Sequence, residues 1–131
     1  WTNKGKGTLW TLFDTKNNSI VLSYNRTYIE LDLESGDTLN EFTLNRSGSE
    51  LDPMRMMLLD EKSIYFYSSI RENVIGEINR KTGEINWEED FIPKGCKSLN
   101  IWFWTKSISG DHLVYVQDQV SPKLFVLRIA K

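Results

Sequence analysis

Short runs of apolar residues, separated by polar turns, make up most of this chain. Ile29, Leu31 and Leu33 alternate with Glu30, Asp32 and Glu34, which is the period-two pattern of a strand with one wet face. Similar runs at Leu9–Phe13, Ser19–Tyr24, Tyr28–Leu33 and Leu39–Leu44 predict four strands. Three more follow at Ser63–Ser68, Val74–Asn79 and Glu84–Trp87. Ile101–Trp104, His112–Gln117 and Leu124–Ile129 complete the strand pattern. Met54–Leu59 holds good helix formers after Asp52-Pro53, but its place between turns predicts a strand. Helix is weakly supported everywhere else.

The runs echo three times. Ser19–Tyr24, Ser63–Ser68 and His112–Gln117 are each followed, after a short polar gap, by a second strand-like run. Ile20 to Ile64 is 44 residues and Ile64 to Leu113 is 49. A period in the forties built only from strands is the spacing of propeller blades. The expected fold is all-β, with about eleven antiparallel strands in three blade-like units of an open or partial propeller. The alternative is a twisted β-sandwich. At 131 residues a single domain is expected, with units at 8–46, 52–91 and 98–131. The third unit ends one strand short. A missing outer strand would come from the amino-terminal segment, from another subunit in a homodimer, or from nothing.

Ser35-Gly-Asp37 and Thr82-Gly-Glu84 occupy the same place in the first two units, where glycine supplies the positive φ of a tight turn. The stretch from Val74 to Trp87, with Thr82-Gly83 in the turn and Trp87 four residues after the glycine, resembles the repeat of pyrroloquinoline-quinone-type β-propellers. Leu31–Phe42 is a degraded copy with Ser35-Gly36 and no matching Trp. The third unit shares only the strand pattern. The resemblance implies a propeller-like fold and a Trp87 packed between blades. Quinone-dependent dehydrogenases of this type use many more blades around an axial cofactor pocket, so no cofactor is expected here.

Composition narrows the function classes. Sixteen Lys and Arg against eighteen Asp and Glu give a net charge of −2, which argues against a nucleic-acid binder. The longest apolar runs fall well short of the roughly 18–20 residues that span a bilayer, so no membrane insertion is expected. Cys96 is the only cysteine, which excludes an intrachain disulfide and multi-cysteine zinc sites. That usage favours the cytoplasm weakly; no signal peptide is visible, although the chain begins at Trp1 rather than Met. No phosphate loop, zinc spacing, calcium loop or nucleophile elbow is present.

Several residues still invite a chemical reading. His112 is the only histidine and reads as a polar residue at a strand edge. Cys96, between Gly95 and Lys97, reads as an incidental loop thiol rather than half of a Cys–His pair with His112. Carboxylate pairs such as Asp32/Glu34 show no spacing that selects a glycosidase geometry. Of the three sequons, at Asn17, Asn25 and Asn45, one or two are expected by chance in a chain so rich in Asn, Ser and Thr, so they give glycosylation little weight. Trp102-Phe-Trp104 predicts a central strand buried on both faces, or else an aromatic platform. Trp87-Glu88-Glu89-Asp90 sets an aromatic anchor beside three acids.

These features favour a non-catalytic protein-binding module. Its size and style resemble the small bacterial immunity proteins that neutralise toxin domains by occlusion. In that reading Glu88, Glu89 and Asp90 meet a basic partner, with Trp87, Trp102 or Trp104 as anchors. No metal and no catalytic residue is expected. The alternatives are a carbohydrate or small-ligand module, or a propeller fragment of an envelope protein.

Overall fold

A computed structural model describes residues 9–24, 27–44, 55–68, 74–90, 99–118 and 120–129. Eleven strands fall into three antiparallel sheets that follow chain order. The first holds β1 (Leu9–Asp14), β2 (Ser19–Tyr24), β3 (Thr27–Asp32) and β4 (Thr38–Thr43). The second holds β5 (Arg55–Leu59), β6 (Ser63–Ser68), β7 (Val74–Asn79) and β8 (Ile85–Asp90). The third holds β9 (Leu99–Lys106), β10 (His112–Asp118) and β11 (Leu124–Ile129). In the stretch from Met54 to Lys62, Arg55–Leu59 is strand and Asp60–Lys62 is the turn after it, so no helix forms over its described part. Met54 itself, Asp52-Pro53, Asn25, Asn45 and Cys96 lie outside the described residues.

Within each sheet every strand pairs with the next in sequence, and an Asp or Asn at the end of the strand organises several of the described turns. Asp14 Oδ1 accepts from the Lys16 and Asn17 amides, and Asp32 Oδ1 from those of Glu34 and Ser35. Asp60 does the same for Lys62 and Ser63, and Asn79 for Lys81 and Thr82. A short carboxylate or amide placed there competes with the ladder for the next amides and so ends the strand.

The sheets stack as blades. Their first strands adjoin, β1 against β5 and β5 against β9. None of the three sheets closes into a barrel, and the stack of three is not a two-sheet sandwich. Val21, Tyr28 and Leu44 of the first sheet and its edge pack against Met56, Ile64, Phe66, Val74 and Ile78 of the second. On its other face the second sheet presents Tyr65, Tyr67 and Ile75 to Trp104, Val114 and Val116 of the third. This two-sided burial explains why every residue of β6 is buried, whereas β11 alternates between exposed and half-buried positions.

The alternation in β3 has the expected period but the opposite orientation. Tyr28, Glu30 and Asp32 share the face turned toward the second sheet, while Ile29 and Leu31 lie half-buried on the other. Glu30 thus faces a neighbouring sheet rather than water. The reason lies in Arg80, whose charge gives a carboxylate a partner between the sheets.

Candidate functional site

The same polar set stands at each of the two seams between sheets. In the first sheet Ser19 pairs across from Asp32, and Val21 from Glu30; in the second, Ser63 pairs across from Asn79, and Tyr65 from Glu77. Ser19 therefore corresponds to Ser63, Glu30 to Glu77, and Asp14 to Asp60. In both sheets the register of the next ladder slips directly after the glutamate. Such an irregularity bends the strand locally and re-aims its side chains. In both, the serine hydroxyl donates to the glutamate: Ser19 Oγ to Glu30 Oε1 at 2.6 Å, and Ser63 Oγ to Glu77 Oε1.

At the first seam a guanidinium fills this set. Arg80, only 7% exposed, follows β7 and reaches back into the first sheet. Its Nη1 donates to Asp14 Oδ2 at 2.7 Å and to the Asp60 carbonyl at 2.9 Å. Its Nη2 donates to Glu30 Oε1 at 2.5 Å and Ser19 Oγ at 3.3 Å, and its Nε to Glu30 Oε2 at 3.2 Å. Asn40 Nδ2 secures the same loop by donating to the Arg80 and Lys81 carbonyls. Burial would lift the Asp14 pKa, but hydrogen bonds from Asn17 and Arg80 outweigh it and hold the carboxyl below its usual range. Burial alone would lower the Arg80 pKa, and its two carboxylates more than reverse that.

At the second seam the set is differently occupied. Lys106, at the end of β9, donates to Asp60 Oδ2 at 2.5 Å, and the Tyr65 hydroxyl donates to the same oxygen at 3.1 Å. Burial favours a protonated Asp60, but these bonds and the turn amides overcome it and keep its pKa low. Tyr65 is pushed well above the ordinary tyrosine range, by burial first and then by the charges of Asp60 and Glu77. Glu77 Oε2 accepts from Trp87 Nε1 at 2.6 Å. Among the described residues no cation reaches Glu77.

Between these groups lies a cleft of about 820 Å³, lined by Asp60, Tyr65, Glu77, Trp87, Glu89 and His112 among others. The corresponding recess at the first seam is smaller, about 540 Å³, and Arg80 is part of its wall. His112 is 4% exposed, so it is a buried residue rather than a solvated strand edge. The strand start lies under the Tyr65 ring, 4.4 Å between centroids, and Trp104 Nε1 donates to His112 Nδ1 at 3.0 Å. An indole N–H only donates, so this contact specifies the neutral ring with its proton on Nε2.

The residues expected to bind a partner are divided by the fold. Trp87 is half-buried, sits among the side chains packed between second and third sheets as the resemblance implied, and lines the cleft together with Glu89. Glu88 pairs across from Gly76 on the opposite face of β8, so the three acids do not form one patch. The side chains of Asp90 and Trp102 lie outside the described residues. Trp104 is 2% exposed and offers no surface platform. Its strand is the edge of the third sheet rather than a central strand; burial comes from packing against the second sheet. No functional role was expected of Arg80, Asp14, Glu30, Asp60, Glu77 or Lys106. Superposing the two echoes would have found four of them, because Asp, Ser and Glu recur there at matching strand positions.

Among the described residues no group of three or more His, Cys, Asp or Glu side chains is placed to hold a metal ion. No family model and no curated protein sequence matches the chain. Among solved structures it is similar to the crystal structure of BamB from Moraxella catarrhalis, at 15% identity and a TM-score of 0.47. The likeness covers 92% of this chain and 40% of that one, so the chain spans less than half the length of the structure it matches. A likeness at that level carries no functional argument, and the architecture rests on the pairing and packing described above.

Proposed function

We propose that this chain is a non-catalytic protein-binding module whose contact surface is the cleft between its second and third sheets. The observation that supports this is the charge and character of that cleft. Four carboxylates (Asp60, Glu61, Glu77 and Glu89) line it against two lysines, Lys62 and Lys106, with half-buried Trp87 at the wall. Opposite charge speeds the docking of a basic partner, and an aromatic side chain that loses its remaining water on contact holds it. In the finer form of the proposal the partner is a basic toxin domain, neutralised by occlusion of its active face as immunity proteins do.

The test is affinity capture from a lysate of the source organism at low and high salt, with wild type and Glu89→Gln in parallel. One dominant basic protein, released by salt and weakened by Glu89→Gln, is the expected result, because exposed charge pairs are screened within about 10 Å at 0.1 M salt. No protein retained at either salt would overturn the proposal. A carbohydrate or small ligand would then be the occupant to test, read by Trp fluorescence.

A further inference from the structure

We propose that the second seam is a socket for an arginine guanidinium supplied by the partner. This rests on reading the cleft as the partner-binding surface, and it names the chemistry that surface takes. The molecule itself contains the filled version. At the first seam Asp, Ser and Glu at fixed strand positions chelate Arg80, with Glu30 accepting from both Nε and Nη2. The second seam repeats the Ser–Glu hydrogen bond and the ladder slip beside the glutamate. Among the described residues the guanidinium is not repeated. Ile129 pairs across from His112 as Asn79 does from Ser63. In sequence, Arg80 follows Asn79 directly, whereas Ala130 follows Ile129.

The surroundings favour arginine over lysine. Lys106 already holds Asp60, so the carboxylate without a cation is Glu77. Ser63 and Trp87 use one lone pair on each Glu77 oxygen, and a carboxylate offers about four acceptor sites, so one remains on each for a planar fork. Two parallel N–H donors match that spacing, whereas an ammonium is a point charge and matches it less well. Trp87 also lines the cleft, and a flat cation favours an aromatic neighbour, whereas the Tyr65 ring already has the Lys106 ammonium 5.5 Å from its centroid. The guanidinium enters a partly buried site, where its pairing with Glu77 is screened less than at an open surface.

The test uses the whole chain and three small probes: arginine, citrulline and lysine, each capped as the N-acetyl methylamide. Binding is read from the indole N–H resonance of Trp87, assigned among the five tryptophans with Trp87→Phe. Capped arginine is expected to shift that resonance saturably. Capped lysine should bind roughly tenfold more weakly, and neutral citrulline not at all. Glu77→Gln should abolish the arginine response while the other indole signals keep their positions. If Glu77→Gln fails to fold, the arginine–citrulline difference on wild type decides alone. No saturable shift with arginine, or equal shifts with all three probes, would overturn the socket. Partner capture that succeeds while arginine fails to bind would reject the socket and leave the protein-binding reading standing. Arginine binding with no partner captured would support the guanidinium site and reject the protein partner.

Discussion

The two seams of this molecule are built from the same residues and finished differently. At the first, one arginine ties two carboxylates, a serine and a backbone carbonyl across the sheets, and its own loop is held by Asn40. At the second, a lysine reaches one carboxylate, and Trp87 stands where Asn40 stood and holds the other. Asn40 pairs across from Glu30 as Trp87 does from Glu77. The comparison teaches that a repeated acceptor set can serve as glue or as a site. The cation separates the two outcomes: Arg80 spans both carboxylates at the first seam, whereas Lys106 reaches only one at the second.

Breaking the first seam should have the largest effect. Arg80→Met leaves Asp14 and Glu30, whose side chains are only 12% and 15% exposed, without their cation. Removing one partner of a buried ion pair costs about 3–5 kcal/mol, so a loss of that order is expected in urea unfolding. A loss below about 1 kcal/mol, the range of surface pairs, would show that the seam is not held by this charge.

The turn glycines sharpen the same contrast. Gly36 and Gly83 occupy matching turns at φ 75° and 78°. A methyl at Gly36 would meet open space, while one at Gly83 would sit 2.5 Å from the Phe42 ring of the first sheet. Gly36→Ala should cost only the left-handed backbone strain, about 1–2 kcal/mol, and Gly83→Ala distinctly more. Equal losses in thermal unfolding would mean that the Gly83 turn does not dock on the first sheet.

Lys106→Met tests the second seam. The Lys106 and Asp60 side chains are 28% and 27% exposed, so solvent screens them and a loss of roughly 1 kcal/mol is expected, well below that of Arg80→Met. The smallest readout is the pH slope. Asp14 and Asp60 both have folded pKa values below their ordinary 3.8. Their contribution is therefore present above that value and lost as pH falls through the folded pKa values. Arg80→Met should flatten the first seam's share of that acid-limb slope, and Lys106→Met the second's. An acid limb unchanged in both variants would contradict the assignment.

The strand framework was legible in the sequence because period-two apolarity and Asp- or Gly-bearing turns are local signals. The orientation of β3 was not. Glu30 read as water-facing, since nothing near it in sequence offers a cation; its partner stands 50 residues away. Arg80 drew no attention for the same reason. The site was half legible. Trp87 and Glu89 stood out as aromatic and acid side by side, and both line the cleft. Strand alternation separated Glu88 from them, and burial took Trp104 out of reach. His112 looked like a strand-edge residue because its cover, Tyr65, belongs to a different sheet.

The most direct measurement is a crystal structure of the chain grown with capped arginine. The account predicts a guanidinium on Glu77 beside Ser63, in the bidentate arrangement that Arg80 makes with Glu30. A cleft without the probe, or Glu77 occupied by a lysine of the chain itself, would contradict it.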